Sequence, residues 1–214
     1  MESPYTNRIP PVPCLRSVVS TPIEALQGGS LMESQTEPGK VLFGVAEGTT
    51  GSPLDVMGPI VEFLTSPQAA HGDFCVFKGL MPPGVVVPLH SHDETEAFFV
   101  LSGTKQVLTL DSGPARWVTV RAGDYIHVPR GTRHAHRNLS DEPVIELVVT
   151  TARLGTWFEE VGVPSTGTPQ RPTAHDLQRL LTVSERYGYW LGTPEENAAI
   201  GLSLPEITGS QTGS

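Results

Sequence analysis

The sequence predicts an all-β fold, an antiparallel sandwich or barrel, with a short helical extension at its C-terminal end. Three observations support this prediction. Between Asp55 and Thr151, short apolar or alternating runs recur about every ten residues and are separated by Gly or Pro. The chain has 22 Gly and 20 Pro among 214 residues, which favours many short elements over long helices. Helix-capping patterns begin only after Thr151.

Four segments follow one another along the chain. Residues 1–40 carry repeated Pro among Ser and Thr, so we expect an extended arm, either disordered or docked on the body or on a second subunit. Residues 41–152 are predicted to form the barrel, 153–205 a helical extension packed on it, and 206–214 a disordered tail. The predicted strand segments are DVMGPIVEFLTS, DFCVFKGLMPPG, VVVPLHSH, EAFFVLSG, TKQVLTLDSG, RWVTVRAG, DYIHVPRG, RHAHRNLSDEP and VIELVVTT.

The extension is predicted to contain two or three short helices. Three residue pairs have the spacing of a helix-capping box: Thr156 with Glu159, Thr173 with Asp176, and Thr193 with Glu196. Gly188 and Gly201 are expected to end the second and third helices, because glycine readily adopts the left-handed conformation found after a helix.

Composition and charge exclude several classes of function. The chain has 14 Lys and Arg against 23 Asp and Glu, a net charge of −9, which disfavours nucleic acid and anionic membrane surfaces as partners. Its two cysteines, Cys14 and Cys75, provide neither a disulfide framework nor a thiolate metal site. Because neither a signal-like N-terminus nor a long apolar run is present, we expect a cytoplasmic protein.

Clustered histidines predict a metal site. Five of the seven histidines lie in a 47-residue window. Side chains at positions i and i+2 of a strand share one face, so His90 and His92 can bind the same ion. Glu96 can enter the next strand on that side, and His134 can add a fourth ligand from a later strand. Neutral imidazoles and a carboxylate suit a divalent first-row transition metal.

Two segments around these residues resemble the motifs of the cupin family. The first motif is matched by Gly84, His90, His92, Glu96 and Gly103, and the second by Gly123, Pro129, Gly131, His134 and Asn138. The resemblance implies a double-stranded β-helix, a jelly-roll barrel in which the three histidines and Glu96 converge on one metal ion. The tail is similar to the C-terminal extension of small bacterial quercetin-dioxygenase-like cupins.

The resemblance to this group implies an oxygen-dependent enzyme. We expect a dioxygenase whose phenolic or enolic substrate, flavonol-like or polyketide-like, binds directly to the metal, with O2 as co-substrate. Glu96 is expected to be both metal ligand and base. One ion per chain is expected, Fe(II) first, with Mn, Ni, Co, Cu or Zn as alternatives. A non-redox isomerase, cyclase or lyase, and a non-catalytic small-molecule-binding protein, stay open as alternatives.

Side-chain alternation predicts an apolar pocket beside the metal. Phe98 and Val100 follow the glutamate of the first motif at even spacing, so both are expected inside the barrel. Val86 and Pro88 precede the first histidine of that motif at even spacing and are expected on the same inner face. An apolar lining fits a hydrophobic or aromatic substrate.

Further residues near the second motif are assigned by the same argument. His136 shares the alternation of the second-motif histidine and is a predicted pocket residue, as is Tyr125. Arg133 and Arg137 stand at odd spacing and are expected to point away from the metal, which disfavours a phosphosugar substrate.

The outer face of one predicted strand is unusually apolar. In the run EAFFVLSG, the side opposite the pocket carries Ala97, Phe99 and Leu101. We expect either the tail helices or a second subunit to cover this face. The resemblance to cupins, which are often dimers, implies a homodimer.

Overall fold

The structure is a computed structural model. It describes residues 51–69, 71–109, 115–167 and 171–204. The predicted N-terminal arm and the predicted C-terminal tail lie outside these ranges, as do the first ten residues of the predicted barrel segment.

The described residues form short strands followed by three helices. The strands are β1 (Leu54–Asp55), β2 (Ile60–Thr65), β3 (Cys75–Met81), β4 (Val86–Ser91), β5 (Glu96–Ser102), β6 (Thr104–Thr109), β7 (Arg116–Arg121), β8 (Tyr125–Val128), β9 (His134–Arg137), β10 (Val144–Thr150), β11 (Val163–Pro164) and β12 (Trp190–Leu191). The helices are α1 (Ala152–Val161), α2 (Ala174–Tyr187) and α3 (Pro194–Ala199).

The strands pair into two antiparallel sheets. The larger sheet has the order β11-β1-β2-β3-β10-β5-β8, and the smaller has the order β12-β4-β9-β6-β7. Along β3, buried residues alternate with partly buried ones, as expected when one face of a strand lies on the core. Each predicted strand segment contains at least one strand, and the all-β prediction is confirmed.

An apolar core fills the space between the two sheets. Met81, Val100 and Val144 of the larger sheet pack there against Val107 and Val120 of the smaller sheet. Side chains of both sheets therefore point into one shared interior, which is the arrangement of a double-stranded β-helix.

The helical extension is joined to both sheets. Strand β11 pairs with β1 in the larger sheet, and β12 pairs with β4 in the smaller sheet. In α3, the side-chain oxygen of the fully buried Asn197 accepts a hydrogen bond of 2.8 Å from the backbone N–H of Leu89 in β4. The extension thus reaches the strand that carries His90, directly before His92.

Two of the three predicted capping boxes are present. Thr173 and Thr193 cap α2 and α3 with both reciprocal hydrogen bonds of the box, and Gly188 ends α2 with a φ of 72°. The prediction for Thr156 is wrong, because α1 begins directly after β10 and is capped by Thr151. Thr156 lies inside α1, where its hydroxyl donates to a carbonyl of the preceding turn. In the described part of the chain, no helix has the length and apolarity needed to cross a membrane.

Candidate metal centre

The four predicted ligands meet at one end of the barrel interior. His90 in β4 lies opposite His134 in β9 within the smaller sheet, and His92 follows directly after β4. Glu96 begins β5 in the larger sheet. One ring nitrogen from each of the three histidines lies within 4.8 Å of the others. His92 and His134 lie with Glu96 in the interior, with exposed fractions of 5%, 2% and 4%, whereas His90 is partly buried.

Backbone carbonyls orient all three imidazole rings in the same way. The Nδ1 atoms contact carbonyl oxygens two residues away: His90 to Pro88 at 2.7 Å, His92 to Glu94 at 3.1 Å, and His134 to Thr132 at 2.8 Å. Assigned from this geometry, each Nδ1 carries the proton and donates it, which leaves each Nε2 with a free lone pair. An Nε2 lone pair is the atom that a histidine offers to a metal.

The Nε2 atoms of His92 and His134 face an oxygen of Glu96, and none of these atoms offers a hydrogen-bond donor to the others. The Nε2 atoms of His92 and His134 are each 3.3 Å from Oε2 of Glu96. Among the described residues, the buried Nε2 of His134 has no hydrogen-bond partner. Lone pairs that converge in a buried space repel unless a cation or a shared proton lies between them. The residues therefore fit a divalent transition-metal ion, and the three histidines could hold one.

A turn of the second motif connects the two halves of this centre. Gly131 has a φ of 69°, in the left-handed region that favours glycine. Its N–H donates a hydrogen bond of 2.8 Å to the backbone carbonyl of His92. The turn before β9 is thereby attached to the chain that carries the first-motif ligands.

The pKa values of the cluster are strongly shifted. Burial alone would raise the pKa of Glu96, but the adjacent imidazole rings of His134 and His92 favour the ionised carboxylate, outweigh burial and hold that pKa well below its usual range. Burial likewise would lower the pKa of His92, but Glu96 and then Glu94 outweigh it and raise that pKa. Burial and the neighbouring histidines lower the pKa of His90 to about 3. Without an ion the cluster thus keeps an ionised carboxylate beside a ring that readily takes up a proton.

A β-bulge in β4 changes which residues face inward. Val87 lies opposite His136, whereas His90 lies opposite His134, so β4 contains one residue more than β9 over this stretch. The prediction that Val86 shares the face of His90 is therefore wrong. Val86 packs in the apolar cluster on the other side of the smaller sheet, and Val87 packs in the interior instead. Pro88 lies within the bulge, between the paired positions Val87 and His90.

The other predicted pocket residues divide into inner and outer groups. Phe98 and Val100 are buried, with exposed fractions of 7% and 0%, and pack in the interior clusters. The ring of His136 is also buried, 5.1 Å from the Phe98 ring. The placement of Tyr125 in the pocket is corrected, because Tyr125 is 64% exposed and pairs with the exposed Phe99 on the outer face of the larger sheet.

Sequence reasoning missed a charged pair inside the barrel. Lys105 in β6 is 2% exposed, and its Nζ lies 2.6 Å from Oε2 of the buried Glu146 in β10. The interior is therefore not simply apolar, contrary to the prediction. Lys105 stands two residues from the interior Val107, so alternation within β6 contained the signal. As predicted, the two arginines near the second motif point outward: Arg133 and Arg137 each lie over a tryptophan ring, at 3.9 and 4.0 Å.

A second missed group connects the helical extension to the metal centre. Glu94 is 3% exposed, and its Oε2 lies 3.6 Å from Nδ1 of His92. Arg153 of α1 forms an ion pair with Oε1 of Glu94, and it also donates a hydrogen bond of 2.6 Å to the backbone carbonyl of Tyr187. The ring of Tyr189 lies 5.4 Å from the ring of His92, and burial and then Glu94 raise the pKa of its hydroxyl. No local pattern indicates these contacts, because they depend on how the extension folds back.

Comparisons with known proteins agree with the fold. Residues 77–150 match the family model described as the cupin domain. The dimethylsulfoniopropionate lyase DddQ of Ruegeria pomeroyi is 34% identical over 76 residues, which are 36% of this chain and 36% of that protein. The match thus spans about a third of the length of this curated relative.

Three solved structures illustrate the similarity. The polyketide cyclase RemF of Streptomyces resistomycificus is 20% identical, with 51% of this chain and 80% of that chain covered and a TM-score of 0.45. A deletion mutant of the Bacillus subtilis oxalate decarboxylase OxdC is 25% identical, with 46% and 27% covered and a TM-score of 0.40. The DddQ lyase structure is 29% identical, with 37% and 39% covered and a TM-score of 0.32. Residues 77–150, which match the cupin domain model, lie within the two antiparallel sheets of the double-stranded β-helix.

Proposed function

We propose that the protein is a divalent-metal-dependent enzyme that removes a proton from a small molecule held at the metal centre. One observation supports this proposal above the others. Three imidazole Nε2 atoms and the buried carboxylate of Glu96 converge with their lone pairs toward one another, and each imidazole is oriented by a backbone carbonyl. We propose His90, His92, Glu96 and His134 as the ligands of one ion per chain, with Fe(II) as the first choice.

Glu96 is the proposed catalytic base. A bound divalent ion would act as a Lewis acid that makes a coordinated hydroxyl or an adjacent C–H group more acidic. Glu96 is held ionised by its neighbours, so its carboxylate is in the protonation state that a base requires. Phe98 follows it on the inner face of β5 and excludes water on that side.

For the fate of the deprotonated molecule, we propose reaction with O2, which makes the protein a dioxygenase of phenolic or enolic substrates. The support is the resemblance of the ligand motifs and of the C-terminal extension to quercetin-dioxygenase-like cupins. A non-redox elimination is the second proposed reaction. It is favoured by the 34% identity with a lyase over 76 residues and by the charged pair inside the barrel. Both reactions begin with the same proton removal by Glu96.

Turnover with and without oxygen separates the two reactions. Protein reconstituted anaerobically with Fe(II) is mixed with panels of phenols, enols and substrates with a β leaving group, and O2 uptake and products are recorded. Oxygen uptake that matches product formation supports the dioxygenase. Equal product under strict anaerobiosis supports the elimination and contradicts the dioxygenase.

A variant of Glu96 tests the base directly. Glu96→Gln is expected to retain part of the metal affinity and to lose turnover by roughly 100-fold or more, because general-base catalysis of this kind contributes that much. The matched control is Glu62→Gln, a glutamate on the outer face of the larger sheet in an ion pair with Lys78. Full activity of Glu96→Gln would contradict the role of Glu96 as base.

A further inference from the structure

We propose that Lys105 and His136 form a binding subsite for a carboxylate, so that the substrate is a small monoanion with its other end at the metal centre. The proposal rests on the proposed metal-dependent function and defines its substrate class. It also changes the expectation of an apolar pocket, because the deeper interior contains polar groups that an anion can contact.

Burying the ammonium group of Lys105 inside the barrel costs desolvation free energy. Its side chain is 1% exposed, and its ammonium group has three donors, while the carboxylate of Glu146 is its ion-pair partner. Replacing a buried ion pair by apolar side chains of similar size is often neutral or stabilising. The fold alone therefore gives weak physical reason for a charged pair at this position, and a ligand-binding role gives a stronger one.

The ammonium group of Lys105 lies over the ring of Phe98, on the side of the interior that leads to the metal centre. The Nζ atom of Lys105 is 4.6 Å from the centre of the Phe98 ring. The Phe98 ring is 5.1 Å from the ring of His136, which is in turn 5.6 Å from the ring of His134. Successive contacts thus connect the buried ammonium group to a proposed metal ligand, over a length that a small molecule can span.

An unpartnered atom of His136 supports the same location. The Nδ1 atom is buried, and among the described residues it has no hydrogen-bond partner, although the residue is only 4% exposed. Buried polar atoms are nearly always hydrogen-bonded in folded proteins. A ligand atom beside His136 would provide the missing partner.

The charges of the interior favour one negative charge on the ligand. Glu94 is already paired with Arg153, and Glu146 with Lys105. A bound divalent ion with Glu96 as its carboxylate ligand leaves one positive charge uncompensated. Because a low-dielectric interior strongly disfavours net charge, a substrate with one carboxylate, whether phenolic, enolic or aliphatic, suits this site better than a neutral molecule or a dianion.

The test compares a carboxylate with its neutral isostere. Propionate and propionamide are titrated against Zn(II)-loaded and metal-free full-length protein, and binding is followed by calorimetry and by NMR chemical shifts. The variant Lys105→Met, Glu146→Leu removes both charges, so neither partner is left unpaired in the interior. Its matched control is Lys78→Met, Glu62→Leu, which makes the same changes in the ion pair on the outer face.

The expected result is a selective loss of carboxylate binding. The Lys105→Met, Glu146→Leu variant should bind propionate at least about tenfold more weakly than the wild type, since a hydrogen bond to a charged group contributes that much. Its affinities for propionamide and for Zn(II) should be unchanged, and the control variant should behave as the wild type. A propionate affinity within about twofold of the wild type would overturn the proposal.

A second variant predicts a gain rather than a loss. Glu146→Gln frees the ammonium group of Lys105 from its counter-ion, so propionate should bind about threefold or more tightly than in the wild type. Unchanged or weaker propionate binding in this variant would contradict the subsite. Zn(II) affinity is measured in the same samples. If the wild type binds Zn(II) but the variants do not change propionate binding as expected, only the subsite is refuted, whereas absence of Zn(II) binding in the wild type refutes the metal-dependent function.

Discussion

Both faces of strand β5 depart from the usual pattern of a sheet, because the inner face includes a charged residue and the outer face exposes large apolar residues. On the inner face, the charged Glu96 is only 4% exposed, and Phe98 behind it is 7% exposed. On the outer face, Phe99 and Leu101 are 43% and 49% exposed. A sheet that is optimised for stability places apolar groups inside and polar groups outside. Here, the buried charged residues lie at the proposed metal centre. The outer apolar side chains form a surface that no other element among the described residues covers.

The difference teaches that burial alone does not identify the role of a residue. A glutamate of the larger sheet also pairs with a lysine on each side of that sheet: Glu146 on the inner side and Glu62 on the outer side. Lys105 and Glu146 are enclosed between the sheets, whereas the side chain of Lys78, paired with Glu62, is 44% exposed. Both are lysine–glutamate ion pairs, but only one is enclosed. Equivalent substitutions in the two pairs therefore measure how enclosure changes their effect on stability and binding.

The largest expected effect comes from breaking the inner pair on one side only. Lys105→Ala leaves the Glu146 carboxylate buried without its cation, so we expect the free energy of unfolding to fall by roughly 3–5 kcal/mol. Lys78→Ala should lower it by less than about 1 kcal/mol, because an exposed ion pair contributes little. Urea denaturation of both variants provides the measurement. Equal losses of unfolding free energy in the two variants would contradict the expected difference between the enclosed and the exposed ion pair.

The next effect is the pH dependence of the metal-free protein. The pKa of His90 is about 3 in the folded state against 6.5 when unperturbed, so between these values the unfolded chain binds more protons. The stability contribution of His90 is present above pH 6.5 and is lost as the pH falls toward 3. Glu96, with its lowered pKa, acts in the same direction at low pH. His92, with its raised pKa, acts oppositely above its unperturbed value.

We therefore expect the metal-free protein to lose roughly 2–4 kcal/mol of stability on acidification across this range, since one pKa unit corresponds to about 1.4 kcal/mol. Denaturant midpoints measured at several pH values test this expectation. His90→Asn should flatten the profile, while substitution of the exposed His175 should leave it unchanged. A profile of wild-type slope in His90→Asn would show that another group is responsible.

A smaller effect is expected at the contact between the extension and the metal centre. Arg153→Leu removes the cation that pairs with Glu94, and Glu94 lies beside Nδ1 of His92. Because outer contacts of this kind orient the ligand, we expect metal affinity to fall about tenfold. The matched control is Arg186→Leu, which breaks an ion pair between α2 and Glu160. Competition with a metal-binding dye measures the metal affinity of each variant. Equal metal affinities for Arg153→Leu and Arg186→Leu would contradict a role of Arg153 in orienting His92.

The smallest effect on stability is expected on the outer face. We propose that a second copy of the chain covers Phe99 and Leu101, so Phe99→Lys should convert a dimer into a monomer while monomer stability changes by less than about 0.5 kcal/mol. Sedimentation of the wild type and of Phe99→Lys gives the oligomeric state. Lys78→Glu, elsewhere on the same sheet, is the control. A wild-type monomer would contradict the homodimer.

Much of the fold, and the residues of the candidate metal site, could be predicted from the sequence because both depend on local patterns. Strand runs with turn residues and the spacing of His90, His92, Glu96 and His134 are visible in a few residues at a time. The inner position of Val87 could not be predicted, because a bulge shifts the alternation and no sequence feature marks it.

Other features of the candidate site depend on contacts between segments that are distant in the sequence. The approach of Arg153 to the ligand loop requires the folded extension. The pairing of Lys105 with Glu146 requires both sheets to be in place, although the alternation within β6 already indicates that Lys105 points inward. Tyr125 is exposed because it pairs with Phe99 on the outer face of the larger sheet, and the residues of β8 alone do not reveal this register.

Metal content tests the central claim most directly. Untagged protein is reconstituted anaerobically with Fe(II) and desalted, and metal per chain is determined for the wild type, for the double variant His90→Ala, His134→Ala, and for His127→Ala, a histidine on the outer face. We predict about one ion per chain in the wild type and in His127→Ala, and almost none in the double variant. Equal metal in all three proteins, or none in the wild type, would contradict a metal centre at these residues.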